Sequence, residues 1–298
     1  MPAVAISRPF LRTPIIAALC LALCALAGCS ALRIGYSQAP DLAYWWLDSY
    51  ADFNDAQTPR VRDALAAWFG WHRRTQLPDY TRLLARAEKE VLADTTAERG
   101  CEWWGELIKR MDTALDQAAP AAAEIVLSLT PPQLQQLERR YAKANAEFRD
   151  DYLQPDLAQR FRAAVKRTVD RAESLYGRLG DAQQAQVAKA LAQSPFDPDV
   201  WLSERQRRQQ DALQTLRKLL ADGANHEQAQ LALHAYVDRV ERSPREAYRR
   251  YADQLLQFNC AFAANLHNGA TAAQRRAAAD RLKGWEDDLR ALIAEAAQ

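Results

Sequence analysis

Apolar positions in this chain recur at helical spacing. Leu134, Leu137, Tyr141, Phe148 and Tyr152 fall on one helix face, as do Tyr248, Tyr251, Leu255, Phe258 and Phe262, and later Leu282, Trp285, Leu289 and Leu292. No stretch alternates apolar and polar residues in the two-residue rhythm of a strand. A helix-start signal repeats between the stripes. Thr95/Glu98, Thr130/Gln133, Asp181/Gln184, Ser203/Gln206, Ser243/Glu246 and Thr271/Gln274 each place a capping residue three positions before Glu or Gln. "TPPQ" and "SPRE" add proline at the first helical position, where its missing N–H costs nothing. Pro120 predicts a kink, and "SPFDPD" at 194–199 marks a candidate subdomain hinge. The expected fold is all-α, an irregular bundle or array of roughly eight to ten helices.

Composition agrees with that pattern. The 298 residues are 49% hydrophobic and 26% charged, which is ordinary for a globular chain long enough to bury a core. Abundant Ala, Leu, Arg, Glu and Gln favour helix throughout. The N-terminus departs from this. Arg8 and Arg12 precede an apolar run from Ile15 to Leu26 that closes in small residues, the pattern of a secretory leader. Leu26-Ala27-Gly28-Cys29 resembles the lipobox of bacterial lipoproteins. That resemblance implies a signal peptide over 1–28 and acylation of the Cys29 thiol, so that the membrane is a partner through the lipid. Ser30, in place of an aspartate, implies sorting to the outer membrane with the body facing the periplasm. An uncleaved span from Thr13 to Leu32 is the alternative, at just about the ~20 residues a bilayer needs. Residues 29–39 then read as a tether reaching at most about 35 Å, and 40–298 as a helical periplasmic domain. Loss of Arg8 and Arg12 from the 39 basic residues leaves 37 against 38 acidic ones, which argues against a nucleic-acid partner.

Two resemblances bear on the mature chain. "LTPPQLQQL", "LGDAQQAQV" and "ATAAQRRAA" resemble the LTxxQ motif of the Spy and CpxP group of periplasmic helical proteins, which would imply a chaperone-like cradle. "YWWLDSYADFNDAQ" (44–57), "WHRRTQLPDY" (71–80), "LERRYAKANAEFRDDYL" (137–153), "WLSERQRRQQ" (201–210) and "FNCAFAANLHNGATAAQR" (258–275) together resemble a family of Gram-negative lipoproteins defined as a domain of unknown function. This implies an all-helical exported body and a lipid anchor, with no activity attached.

The chemistry candidates are few. Cys260 and His267 share a helix face but lie about 10 Å apart along its axis, too far for a direct hydrogen bond. Cys101 continues the row Trp104, Ile108, Met111 and Leu115 and is expected to face inward with it. Two remaining thiols in an oxidising compartment predict a Cys101–Cys260 disulfide, with a free catalytic or sensing thiol at Cys260 as the alternative. His72, His226, His234 and His267 are scattered without ligand spacing, so no metal and no cofactor is expected. Glycine-rich phosphate loops and nucleophile elbows are absent from the sequence. Asp48, Asp52 and Asp55 offer carboxylates that read as solvated charge, and "ERQRRQQ" and "HRR" read as solvated basic faces, with anionic lipid or lipopolysaccharide as the other reading.

Tyr44, Trp45, Trp46 and Tyr50, with Phe53, make the first helix of the body aromatic on more than one side. The segment is either a central core helix or an exposed interaction surface for headgroups or an envelope protein partner. The expected function is a non-enzymatic binding, scaffolding or chaperone-like role in the envelope. The alternative is a hydrolase of envelope polymers using paired carboxylates or Cys260.

Overall fold

The computed structural model describes residues 31–295, all of whose regular elements are helices. In chain order they are α1 (Ala31–Ser37), α2 (Ala39–Ala51), α3 (Gln57–Thr75), α4 (Leu77–Glu90), α5 (Ala97–Leu127), α6 (Pro131–Tyr152), α7 (Leu157–Tyr176), α8 (Asp181–Leu191), α9 (Pro198–Ala221), α10 (His226–Glu241), α11 (Glu246–Asn268) and α12 (Ala272–Glu295). Twelve helices among the described residues exceed the expected eight to ten because two breaks are a single residue long. Gln38 and Gln76 separate helix pairs, and Pro40 and Pro78, in the first turns of α2 and α4, start a new helix where the periodicity continues. The signal peptide over 1–28 lies outside the described residues.

The tether expectation is corrected. Residues 31–37 are helical, and Leu32 and Tyr36 pack against the cluster of Leu77, Leu289 and Leu292 formed by α4 and α12. Apolar side chains at Leu32 and Tyr36 let this segment fold against the body where a free linker would have been polar.

The 31-residue α5 is the axis, packing on α3, α9, α10 and α11, while α12 returns to lie along α4 and reaches α1. Pro120 sits inside α5, which runs on to Leu127, and its carbonyl accepts from His226 Nε2 at 2.9 Å. The core is dispersed in small clusters. One holds Val169, Ala172, Leu179 and Val187 with Phe262 and Leu266, and another holds Ala123, Leu219 and Ala229.

Helix starts follow local capping, at shifted positions. Thr96, and not Thr95, caps α5, its Oγ1 accepting from the Arg99 N–H. Gly180, and not Asp181, precedes α8, its N–H donating to Gln183 Oε1 at 3.0 Å. Asp197 caps α9, so Ser203 and Gln206 lie inside that helix. The Thr130 and Thr271 N–H groups each donate to the glutamine three residues on. Asn225 with Gln228 forms a further capping box.

Buried polar groups fix how the helices meet. Glu204 on α9 is 1% exposed. Its carboxylate accepts from Arg207 Nε at 2.8 Å and from Arg245 Nη2 at 2.8 Å, at the start of α11. Arg207 also donates to the Arg239 carbonyl of α10. "ERQRRQQ" is therefore not simply a solvated face. Burial pushes the Glu204 carboxyl up, but hydrogen bonds from Arg207 and Ser243 and the charges of Arg207 and Arg245 outweigh it and hold the group below the usual carboxylate range.

A carboxylate lowered in this way stabilises the fold fully above its unfolded value of about 4.3 and loses that contribution as pH falls through the folded value. Glu204→Gln is therefore expected to lower stability at pH 7 by about 3 kcal/mol, because arginines are left unpaired. Its melting temperature should also fall less steeply than the wild type's on acidification. Thermal melts across pH 3 to 7 check both.

Candidate functional site

The stretch "NCAFAANLHNG" closes α11, and its chemistry is engaged in structure. Cys101 on α5 and Cys260 on α11 are joined, with S–S at 2.02 Å and Cα atoms 5.3 Å apart. Gly100 makes the approach feasible, since a Cβ there would meet the Cys260 carbonyl oxygen at 3.3 Å. His267 is buried and far from acting as a base for that sulfur. Its Nε2 contacts the Ala93 carbonyl at 2.7 Å and its Nδ1 the Tyr176 hydroxyl at 2.9 Å. With Nε2–H donating to the carbonyl, Nδ1 is left to accept from the tyrosine in the neutral tautomer.

His72 likewise serves packing. It stacks on Trp68 with centroids 4.9 Å apart, bonds the Tyr36 hydroxyl at 2.9 Å, and burial lowers its pKa. "HRR" is thus part of the contact between α1 and α3, with Arg73 over the Tyr36 ring. Among the described residues, no group of three or more His, Cys, Asp or Glu is placed to hold a metal ion. Asp48 Oδ1 accepts from the Phe53 N–H, and Asp52 takes a left-handed turn at φ 50° whose carbonyl accepts from Gln133 Nε2. These acids close α2. Partial burial and the neighbouring Asp112 raise the Glu241 carboxyl, forming an acid pair between α5 and α10.

The four aromatic candidates divide. Tyr44 is buried, its hydroxyl 3.0 Å from Thr58 Oγ1 and its ring under the Arg62 guanidinium, so it leaves the interaction surface. Tyr50 is half-buried between Trp46 and Tyr141. Trp45 and Trp46 are each 59% exposed. They extend an outward stripe through Leu42 and Ile34, which α1 and α2 carry almost as one helix because the Gln38 N–H donates to Ile34 O and the Leu42 N–H to Gln38 O. Cys29 lies outside the described residues, ahead of this stripe.

A second exposed stripe contradicts the reading of α5. Trp104, Leu107, Met111 and Leu115 face outward, while Cys101 turns toward α11. The faces of α5 that meet neighbours carry Gly100, Cys101 and Trp103, together with Arg110, which bonds Asp79 at 2.7 Å. Periodicity shows that a stripe exists, but not which side is covered. Among the described residues, no helix is long and apolar enough to cross a membrane.

The profile of a family described as a family of unknown function (DUF6279) matches residues 49–234, more than half of the chain. The match covers the aromatic end of α2 through most of α10 and stops before Cys260. No curated protein and no solved structure matches the chain.

Intact mass after alkylation in denaturant should show no adduct on Cys101 or Cys260 until reductant is added. Cys101→Ala with Cys260→Ala, which opens a loop spanning a sequence separation of 159, should lower stability by about 2–5 kcal/mol in denaturant titrations.

Proposed function

The chain belongs to the DUF6279 family, a family of unknown function, and we propose from that premise that it is an outer-membrane lipoprotein whose body binds at the membrane surface and does not catalyse. The observation that carries this is the exposed stripe of Ile34, Leu42, Trp45 and Trp46 on the first two helices. Helical folding from Ala31 leaves almost no slack between the lipid-bearing Cys29 and that stripe. The apolar side chains are thus held close to the bilayer their anchor enters. Tryptophan suits that boundary because its ring is apolar and its N–H stays wet. Helices with exposed apolar faces bind interfaces in proportion to the area they bury.

The outward stripe on α5 supports an additional scaffolding role toward an envelope protein, since contiguous apolar surface of this kind marks interaction sites. The hydrolase alternative keeps the Asp112–Glu241 pair as its support. It loses Cys260, whose sulfur is bonded to Cys101.

The test uses the Cys29→Ser chain, which carries no acyl group, with vesicles of phosphatidylethanolamine and phosphatidylglycerol bearing brominated acyl chains. Part of the tryptophan emission should be quenched, and Trp45→Phe with Trp46→Phe should remove that part. Unquenched emission would turn the stripe from lipid to a protein partner.

A further inference from the structure

Between the end of α6, the length of α7, the connection before α9, and α11 lies a cleft of about 630 Å³, within the roughly 300–1,000 Å³ typical of small-ligand sites. Its walls are apolar and stacked. Phe148 lies parallel to Tyr152 at 4.6 Å and to Trp201 at 4.9 Å, with Phe196 edge-on to Tyr152. Leu157, at 70% exposure, stands with Phe161 and Phe196 as uncovered apolar side chains along it.

Its charge is one-sided. Arg160, Arg167, Arg171 and Arg205 line the cleft, and no acidic residue does. Several arginines elsewhere are matched to carboxylates, among them Arg99 to Glu90, Arg110 to Asp79, Arg239 to Asp211 and Arg245 to Glu204. Among the described residues, none of the four cleft arginines forms such a pair. Arg160 donates to the Gln154 carbonyl at 2.8 Å and Arg167 to the Asp151 carbonyl at 3.1 Å. Arg205 donates to Asn145 Oδ1, also at 3.1 Å. Arg167 and Arg205 further lie over the Tyr152 and Trp201 rings. These contacts are neutral, so they orient the guanidinium groups and leave their charge uncompensated. A guanidinium presents paired N–H donors that match a carboxylate or phosphate.

We propose that this cleft binds a single-chain anionic amphiphile, its hydrocarbon against Phe148, Phe161 and Trp201 and its anionic head among the arginines. An apolar ligand without charge would leave four cations unmatched, and a small anion would leave the aromatic walls wet. Only a molecule carrying both parts satisfies the two features together. The cleft lies on different helices from the Trp45–Trp46 stripe, so the two readings stand or fall separately.

Calorimetry on the Cys29→Ser chain with dodecyl phosphate, below its micelle concentration, tests the proposal. One molecule should bind per chain. Dodecyl maltoside, with the same chain and a neutral head, and inorganic phosphate, with no chain, should each bind on the order of tenfold more weakly or worse. Arg160→Gln with Arg171→Gln should weaken dodecyl phosphate by a similar factor and leave the maltoside unchanged. Arg171→Gln alone gives a smaller loss of the same kind and serves if the double variant melts early. Ala164→Phe, which fills the cleft, should weaken both chain-bearing probes, whereas Trp45→Ala with Trp46→Ala should leave them unaltered. Equal affinity for the phosphate and maltoside heads would overturn the proposal. So would undiminished binding by Ala164→Phe at an unchanged melting temperature, or binding lost with the two tryptophans.

Discussion

The close approach of α5 to α11 at Gly100, Cys101 and Cys260 is the constraint from which the rest of the arrangement follows. A residue without Cβ lets one backbone sit against the other, and the adjacent cysteine joins them covalently. Because α5 also packs on α3, α9 and α10, fixing α11 against it places the late helices relative to the early ones. The α12 helix then follows and closes the body by lying along α4 and reaching α1, where Arg33 pairs with Glu295. Loop closure over such separations carries an entropy that grows only slowly with length. One cross-link at this position therefore constrains a large part of the unfolded ensemble.

Among the described residues the apolar core is divided into small clusters, and buried polar side chains supply what those clusters leave unspecified. Glu204 is satisfied only when α9 and the start of α11 are in register. Gln57 and Gln133 do the same between α3 and α6, where their side chains bond each other and reach Ser128 and Asp52. His267 holds α11 to the Ala93 carbonyl ahead of α5 and to Tyr176 of α7. Removing any one partner leaves a buried polar group unsatisfied, so each such site selects one packing over its near alternatives.

The parts of this that were legible in the sequence are those with a local cause. All-helical character follows from residue preferences, and Thr130 and Thr271 start helices through their own neighbours. The cysteine pair was legible by elimination. What escaped depends on which face meets which neighbour. Trp104, Met111 and Leu115 look like a buried row by spacing, yet α5 turns Gly100 and Cys101 inward and leaves that row outside. Tyr44 and Trp45 are adjacent in sequence and opposite in fate, because only Tyr44 meets Thr58 and Arg62 of α3. Residues 29–39 read as a tether because Gly35 and Ser37 lie within them and Pro40 follows. The helix at Ala31–Ser37 is held by Leu32 and Tyr36 docking onto Leu77, Leu289 and Leu292, distant in the chain.

Charge pairing gives the exposed surfaces their meaning. In a near-neutral chain, most interior-facing arginines have a carboxylate within reach, which removes most of their capacity to hold an anion. An unpaired arginine at an isolated surface site is solvated and unremarked. Four of them around aromatic walls are different, because the walls lower the local dielectric and reduce screening, making the field at that place stronger than the same charges would produce in open water. The Trp45–Trp46 stripe has no such cluster of arginines. Beside it Arg62 is paired with Asp41 and lies over the Tyr44 ring, while Arg140 lies over the Tyr50 ring. One surface is therefore apolar with its cations dispersed, suited to lying on an interface, and the other is apolar with four cations gathered, suited to holding a discrete anionic guest.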